Sequence, residues 1–366
     1  MIYLDHGATS FPKPEKVRNA VQQAMLRCAN PGRGGYPAAM EAEKVVYDCR
    51  EMAAEFFGCL PEQVVFTSNC THGLNIAIHS LVQSGSRVLV SGFEHNAVMR
   101  PLHALNAKVE IAGRNLFDWE DTLEDFDRKL AGGADAVIMT HVSNVFGYIL
   151  PVGQIAELCR MRKIPLIIDA AQSAGILPLS MDLGATFIAM PGHKGLLGPQ
   201  GTGILLCADP GKPLLYGGTG VASKEKNMPR QTPERLEAGT LNVPGIAGLG
   251  AGLAYIRKEG REAIFRREQE QMTRCVQGLK KLGMRVFSGP HQAGTVSFIP
   301  GQDPEEAAQI LASQGISVRA GLHCAPLAHE SAGSIETGTV RVSFGHNASA
   351  AQTAGFLSAA SKLTQF

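Results

Sequence analysis

The chain has no excess of either charge: Lys and Arg total 34 against 33 Asp and Glu, a formal charge of +1 over 366 residues. It contains no basic run and no interleaving of basic with aromatic residues, which argues against a nucleic-acid surface. The opening segment, Met1 to Phe11, has neither a basic start nor an apolar stretch behind it. Nowhere does the chain approach the ~18 uninterrupted apolar residues of a membrane helix. These absences predict a cytoplasmic protein, without nucleic-acid or membrane partners, that works on small molecules or other proteins. The eight cysteines include no CxxC and no paired metal-ligand spacing, so no metal site is announced, and in a reducing compartment they stay thiols. Cys49 shares a helical stripe with Val45, Val46, Met52 and Phe56 and reads as a small buried apolar residue. Repeats, low-complexity tracts and long linkers are also lacking.

What the chain does have is apolar content, 45%, and enough length for one large core and a second smaller one. Short β-branched runs alternate with helical patterns through the first two-thirds: VVFT from Val64, RVLVS from Arg87, AVIMTHVS from Ala136, PLIID from Pro165, then FIAMP from Phe187 and GTGILLC from Gly201. That alternation predicts a mostly parallel sheet with crossover helices. After Asn242 to Gly260 the pattern changes to one long charged helix, followed by the short strands RVFSG, TVSFIP, SVRAG and TVRVSFG with helices between them. This second part predicts a smaller α+β domain, with the boundary near residue 250 and the extreme N-terminus packed on it.

In an open parallel sheet, ligands collect beyond the carboxyl ends of the strands. Asp169 ends the run PLIID, with Gln172 just after it; the carboxylate is either a helix cap or the partner of a ligand cation. Thr71, His72 and Gly73 open a helix after VVFT, where free N–H groups and the helix dipole suit an anion. His95 follows RVLVS as either a core histidine or a ligand. Lys194 stands in MPGHKGLLGPQGTG, and because no Ser or Thr follows its Gly-Lys, this is not a nucleotide phosphate loop. A reactive lysine, an acidic partner, an anion site and a ring that can stack, each at a strand end, are the groups that pyridoxal phosphate asks for.

The motifs YLDHGATS, NPGRGG, EHNAV, THVSNVFG, DAAQS, GHKGLLGPQGTG, EAGTLNVPGIAGLGAGL, VRAGLHCAPLAH and TVRVSFG occur in this order from end to end. In them the chain resembles the fold-type-I pyridoxal-phosphate enzymes of the class V aminotransferase group, and among these the cysteine desulfurases and selenocysteine lyases. The resemblance implies an α/β fold: a large domain over 15–250 with a mostly parallel sheet of seven-stranded type, and a small one made of 1–14 and 251–366. It implies that Lys194 joins the cofactor aldehyde, Asp169 holds the pyridine nitrogen, Gln172 meets the phenolic oxygen and His95 stacks on the ring. Thr71, His193 and the backbone near His72 would hold the phosphate, together with Thr240 lent by a second subunit, so a homodimer is implied. Asn144 and Arg341 resemble the groups that take the substrate carboxylate, with Arg33, Arg319 and His323 also on the substrate side. Cys324 matches a nucleophilic cysteine, whose neighbouring His and Arg would favour its thiolate.

The activity implied is desulfuration of L-cysteine to L-alanine, with a persulfide on Cys324 passed to a sulfur acceptor. Selenocysteine lyase or C–S β-lyase action keeps the same cofactor, and a weakly active sulfur-relay or regulatory protein is a further reading. Four positions depart from the family pattern: His6-Gly7 replaces Asn-Ala, His72 replaces an acidic residue, Pro191 replaces Ser or Thr, and Tyr36 replaces His.

Overall fold

The computed structural model describes residues 1–32 and 34–364. The chain begins with a two-residue strand β1 (Ile2–Tyr3), then the helices α1 (Glu15–Arg27) and α2 (Pro37–Phe57). Four strand–helix pairs and three further strands follow: β2 (Val64–Thr67), α3 (Cys70–Leu81), β3 (Arg87–Ser91), α4 (Asn96–Ala104), β4 (Lys108–Ala112), α5 (Trp119–Leu130), β5 (Ala136–Thr140), α6 (Val152–Arg162), β6 (Leu166–Asp169), β7 (Phe187–Pro191) and β8 (Gly203–Cys207). The strands form a seven-stranded sheet in the order β2-β8-β7-β6-β5-β3-β4, parallel except at β8, which runs against both of its neighbours. Strands β5, β6 and β7 are buried along their whole length, as expected of parallel strands covered by helices on both faces. β4, which the strand rhythm of the sequence does not announce, is one of the two edge strands; its KVEIA is mixed in polarity because one side meets solvent.

This topology brings the carboxyl ends of β2, β3, β5, β6 and β7 to one edge of the sheet. Because β8 is antiparallel, its first residue, Gly203, sits at that same edge, paired with Pro191. A Cβ on Gly203 would come 2.7 Å from the Asn69 carbonyl carbon, so glycine lets the loop into α3 lie against β8.

Helix α7 (Val243–Glu259) packs on α1 and α2, whereas α8 (Arg261–Lys281) packs on the second sheet. We place the joint between the two units at Gly260, which has φ +84, rather than near residue 250. The second unit continues with β9 (Arg285–Phe287), β10 (Thr295–Ile299), α9 (Pro304–Ser313), β11 (Ile316–Ser317), β12 (Arg319–Gly321), α10 (Pro326–Ser331), β13 (Thr339–Ser343) and α11 (Ala350–Ala360). Its antiparallel sheet has the order β12-β13-β10-β9, and it encloses a separate core around Phe298, Val340 and Phe356. The run SVRAG, which reads as one strand, is two: Ile316 and Ser317 pair in parallel with β1, while Arg319 to Gly321 pair with β13. Through that β1 pairing and an Asp5–Ser343 bridge, the N-terminal segment joins the second unit.

Candidate active site

A cleft of about 520 Å³ lies at the shared strand edge, lined by Thr71, His95, Asn144, Asp169, Gln172 and Lys194, with Cys70, Pro191 and His193 beside them. Each arrives there for a local reason. Asp169 is the last residue of β6, and its Oδ1 accepts from the Ala171 N–H at 2.9 Å. Cys70 Sγ donates to the same oxygen at 3.5 Å, while Asp169 Oδ2 has no hydrogen-bond partner among the described residues. Burial, and Asp169 after it, push the Cys70 thiol well above its ordinary value, so it stays a neutral donor. His95 caps α4: its Nδ1 accepts from the Ala97 N–H at 3.0 Å, which leaves the ring proton on Nε2. Desolvation lowers the His95 pKa, Asp169 opposing.

The start of α3 is capped by Asn69, whose Oδ1 accepts from the His72 N–H at 2.9 Å. Cys70 and Thr71 are the first helical residues, and the N–H groups there have no partner within a helix, which leaves them to an anion. Lys194 follows β7, and its Nζ has no hydrogen-bond partner among the described residues. Desolvation lowers its pKa, reinforced by the positive Arg341 and Arg319 and opposed by Cys70 and Asp169. His193 is lowered to about 4, first by desolvation and then by Lys194 and Lys13. The His193 carbonyl anchors the N-terminal segment, accepting from the Ser10 N–H at 3.0 Å and from Lys13 Nζ at 2.6 Å.

The second half of the site comes from the smaller unit. Arg319 and Arg341 face each other across β12 and β13, and Asp5 holds both. Arg341 Nη2 donates to Asp5 Oδ1 at 2.6 Å and Arg319 Nε to Oδ2 at 3.1 Å. Arg341 Nη1 also donates to the Asn144 carbonyl at 2.9 Å, and its Nε, buried, has no partner. Asn144 in turn donates from Nδ2 to the His323 carbonyl at 2.8 Å, and the Asn96 N–H donates to the Cys324 carbonyl at 2.8 Å. His323 and Cys324 both adopt left-handed backbone, φ +53 and +56, which turns the Cys324 side chain outward; it is exposed while seven other cysteines are buried or half-buried. All eight are free.

Other expectations fall differently. His323 is pushed down to about 2 by desolvation, with Arg341 adding to it, so it is neutral and supplies no positive charge to Cys324. Its ring stacks on His329 at 5.7 Å between centroids. His72 does not line the lysine cleft but a separate hollow beside Gly201 and Asn242, and Thr240, expected to serve a second subunit, lines that hollow too. Tyr36 is exposed at the start of α2, and Arg33 lies outside the described residues. Gln172 Nε2 donates to the Gly7 carbonyl at 2.9 Å, tying the cleft to the N-terminal segment. Sequence reasoning missed Asp5, the carboxylate between the two arginines, because nothing near it in the chain hints at β12 or β13. It also missed Cys70 as an Asp169 partner, although Cys70 stands next to the Thr71 that was singled out.

The donor set fits pyridoxal phosphate: an unengaged amine, a carboxylate oxygen free to meet a pyridine N–H, and helix N–H groups for a phosphate. The model of the aminotransferase class-V family matches residues 2–355. A probable cysteine desulfurase of Pyrococcus abyssi is 33% identical over 346 residues, covering 89% of this chain and 85% of that one. Another, from Methanothermobacter thermautotrophicus, is 32% identical over 367 residues, covering 93% and 89%. The apo structure of a cysteine desulfurase from Thermococcus onnurineus superposes with a TM-score of 0.92 at 33% identity, covering 100% of this chain and 94% of that one. Since the match runs through both units and every strand end that builds the cleft, the chain belongs to the aminotransferase class-V family of pyridoxal-phosphate-dependent enzymes.

Proposed function

We propose that this enzyme is a cysteine desulfurase that releases L-alanine from L-cysteine and keeps the sulfur on Cys324. The observation that carries the reading is Asn144: it lines the cleft of Lys194 and also bonds the loop of Cys324, so one side chain joins the base to the sulfur acceptor. Relatives similar over most of the chain bear the same activity in their names.

Lys194 would hold the cofactor aldehyde, Asp169 its ring nitrogen, Gln172 its phenolic oxygen and His95 a ring face, with Thr71, His193 and the first N–H groups of α3 at the phosphate. Bound pyridoxal phosphate supplies a sink for the electron pair left when the substrate loses its Cα proton. The lowered pKa of Lys194 suits Nζ to take that proton at neutral pH. Arg341 receives the substrate carboxylate, with Arg319 beside it and Asp5 limiting how far either arginine can move. The Cys324 thiolate attacks the substrate sulfur: the S–S bond forms, the Cβ–S bond breaks, and the electron pair returns to carbon, which is protonated and leaves as alanine. The persulfide then passes to a thiol or a sulfur acceptor protein. We further read Thr240 as serving the phosphate site of a second copy in a homodimer, since it lies apart from the cleft of its own chain. No helix among the described residues is long and apolar enough to cross a membrane, and eight free thiols suit a reducing cytoplasm.

Replacing Cys324 with Ala separates desulfuration from elimination. Cys324→Ala should abolish alanine release from cysteine while cofactor absorbance stays, and selenocysteine turnover should survive in part. In the wild type, cysteine without reductant should leave one labile sulfur on the Cys324 peptide, read by mass after alkylation. Alanine release at the wild-type rate from the variant, or pyruvate as the main product of the wild type, refutes the persulfide route.

A further inference from the structure

Lys194 also faces a second cavity, on the side away from the strand-end cleft, at the joint between the two units. Val142, Gln172 and Lys194 line both spaces and partition them. The rear cavity holds three groups that the proposed chemistry does not use: Glu268 of α8, His6 of the N-terminal segment and His346 beyond β13. Glu268 is 2% exposed and accepts no hydrogen bond among the described residues. His6 and His346, each 7% exposed, both have a buried Nδ1 without a partner, and their rings stand 6.3 Å apart edge to face. Two glycines make the space: a Cβ on Gly294 would lie 2.9 Å from Glu268 Oε2, and one on Gly345 would overlap the His6 imidazole.

A buried carboxylate that accepts no hydrogen bond, lining one cavity with two histidines, implies something there that can both donate and accept. A metal does not answer, since among the described residues no group of three His, Cys, Asp or Glu could hold one. An apolar ligand would leave the carboxylate unpaired. Water answers, since it both donates and accepts, and the roughly 40 Å³ open to water-sized molecules takes a few of them.

We propose that the cavity behind Lys194 is a water-filled proton store in which Glu268 exchanges a proton with the Lys194 amine, with His6 and His346 lining the same cavity. This rests on Lys194 being the base. When an N–H bond at Nζ breaks, the proton passes through water and an O–H bond forms on the Glu268 carboxylate, so the ammonium and the carboxylate are both neutralised; the reverse step recharges the lysine. Burial pushes Glu268 up to about 8, with Arg267 opposing, and desolvation brings Lys194 down, so the proton affinities of the two groups move toward each other. The histidines orient water rather than store the proton. Desolvation first, then His346 and Lys13, push His6 to about 3; desolvation, then Lys13 and Arg267, push His346 to about 4. Glu268 acts through Lys194 and is a positioning residue for its proton. The His6-Gly7 departure from the family pattern thereby acquires a use.

Glu268→Gln in the holoenzyme should lower kcat by about tenfold, leave KM for cysteine within about twofold, and remove an ionisation between about pH 7 and 9 from the kcat profile. Glu268→Asp should retain that ionisation. In the cofactor-free chain, the infrared carbonyl band of a buried protonated carboxyl should be present at about pH 6, gone by about pH 9.5, and absent throughout in Glu268→Gln. An unchanged profile, an equal loss at every pH, or no such band overturns the store. Lys194→Ala is the control for the reading beneath it: if that variant still turns over cysteine, the base assignment fails whatever Glu268 does.

Discussion

The two halves of the site are held by different forces. On the large sheet, Asp169, His95 and Lys194 follow directly from strands whose backbone ladders fix them, and local caps such as Asn69 and the His95 ring complete the placement. On the smaller unit, Asp5 holds Arg319 and Arg341, while the Asn144 side chain and carbonyl, the Asn96 N–H and the packing of Ala325 and Ala328 in the large core tie Arg341 and the Cys324 loop to the large unit. Charge differs too. Around His95, Asp169 offsets part of the cost of a proton. The charged neighbours that shift His6, His323 and His346 all push downward, and none is a carboxylate. The lesson is that the cofactor half is built into the sheet, whereas the substrate half is docked onto it by long-range contacts, a few polar and some apolar, as at Ala325 and Ala328.

Acid should loosen both halves, and the docked half first, because it holds four strongly depressed histidines against His141 and His193, each about 4, on the large unit. His6, His323, His329 and His346 have folded pKa values of about 3, 2, 4 and 4, below the ordinary 6.5. The unfolded chain therefore binds more protons, so the stability these groups contribute is complete above pH 6.5 and falls as pH drops through it, by about 1.4 kcal/mol per pH unit for each histidine. Hydrogen exchange read by mass at about pH 5 should rise in peptides spanning 316–345 before it rises in β5 and β6. The reverse order would show that the large sheet is the weaker half.

Removing the carboxylate that docks the arginines is the next largest insult. Asp5→Asn leaves Arg341, 2% exposed, without its counter-charge, and should cost about 3–5 kcal/mol in denaturant unfolding. A loss below about 1 kcal/mol would mean that the Asn144 carbonyl alone holds the guanidinium.

Asn144→Ala tests the docking of the cysteine loop. Losing one hydrogen bond worth about 1 kcal/mol should speed exchange at residues 322–325 roughly fivefold without altering the strands. Equal exchange in both proteins would transfer that role to the Asn96 N–H.

The smallest effect belongs to the rigid half. Pro191 lines the cleft without a side-chain donor, and Pro191→Ser should tighten cofactor retention by about 1 kcal/mol, followed by dialysis against a scavenger. Equal or faster loss would show that Thr71, His193 and the α3 N–H groups already saturate the phosphate.

What could be read from the chain alone was local. Apolar runs such as FIAMP and LIID announce buried parallel strands, and residues just after them, Asp169 and Lys194, land at the ligand edge because strand ends in such a sheet have nowhere else to go. β4 escaped because an edge strand needs only one apolar side, and SVRAG read as one strand because the change of partner at Val318 leaves no mark on alternation. The neutrality of His323 was equally hidden, since it follows from burial beside Arg341 rather than from its neighbour Cys324. Tertiary structure alone decided the substrate half. Asp5 meets Arg319 across 314 positions of chain and Arg341 across 336, and Glu268 comes to line one cavity with Lys194 only where two units close on each other. Periodicity and caps are written between neighbours a few residues apart, whereas the partner of a buried charge is chosen by whichever distant segment the packing of separate cores brings within hydrogen-bond reach.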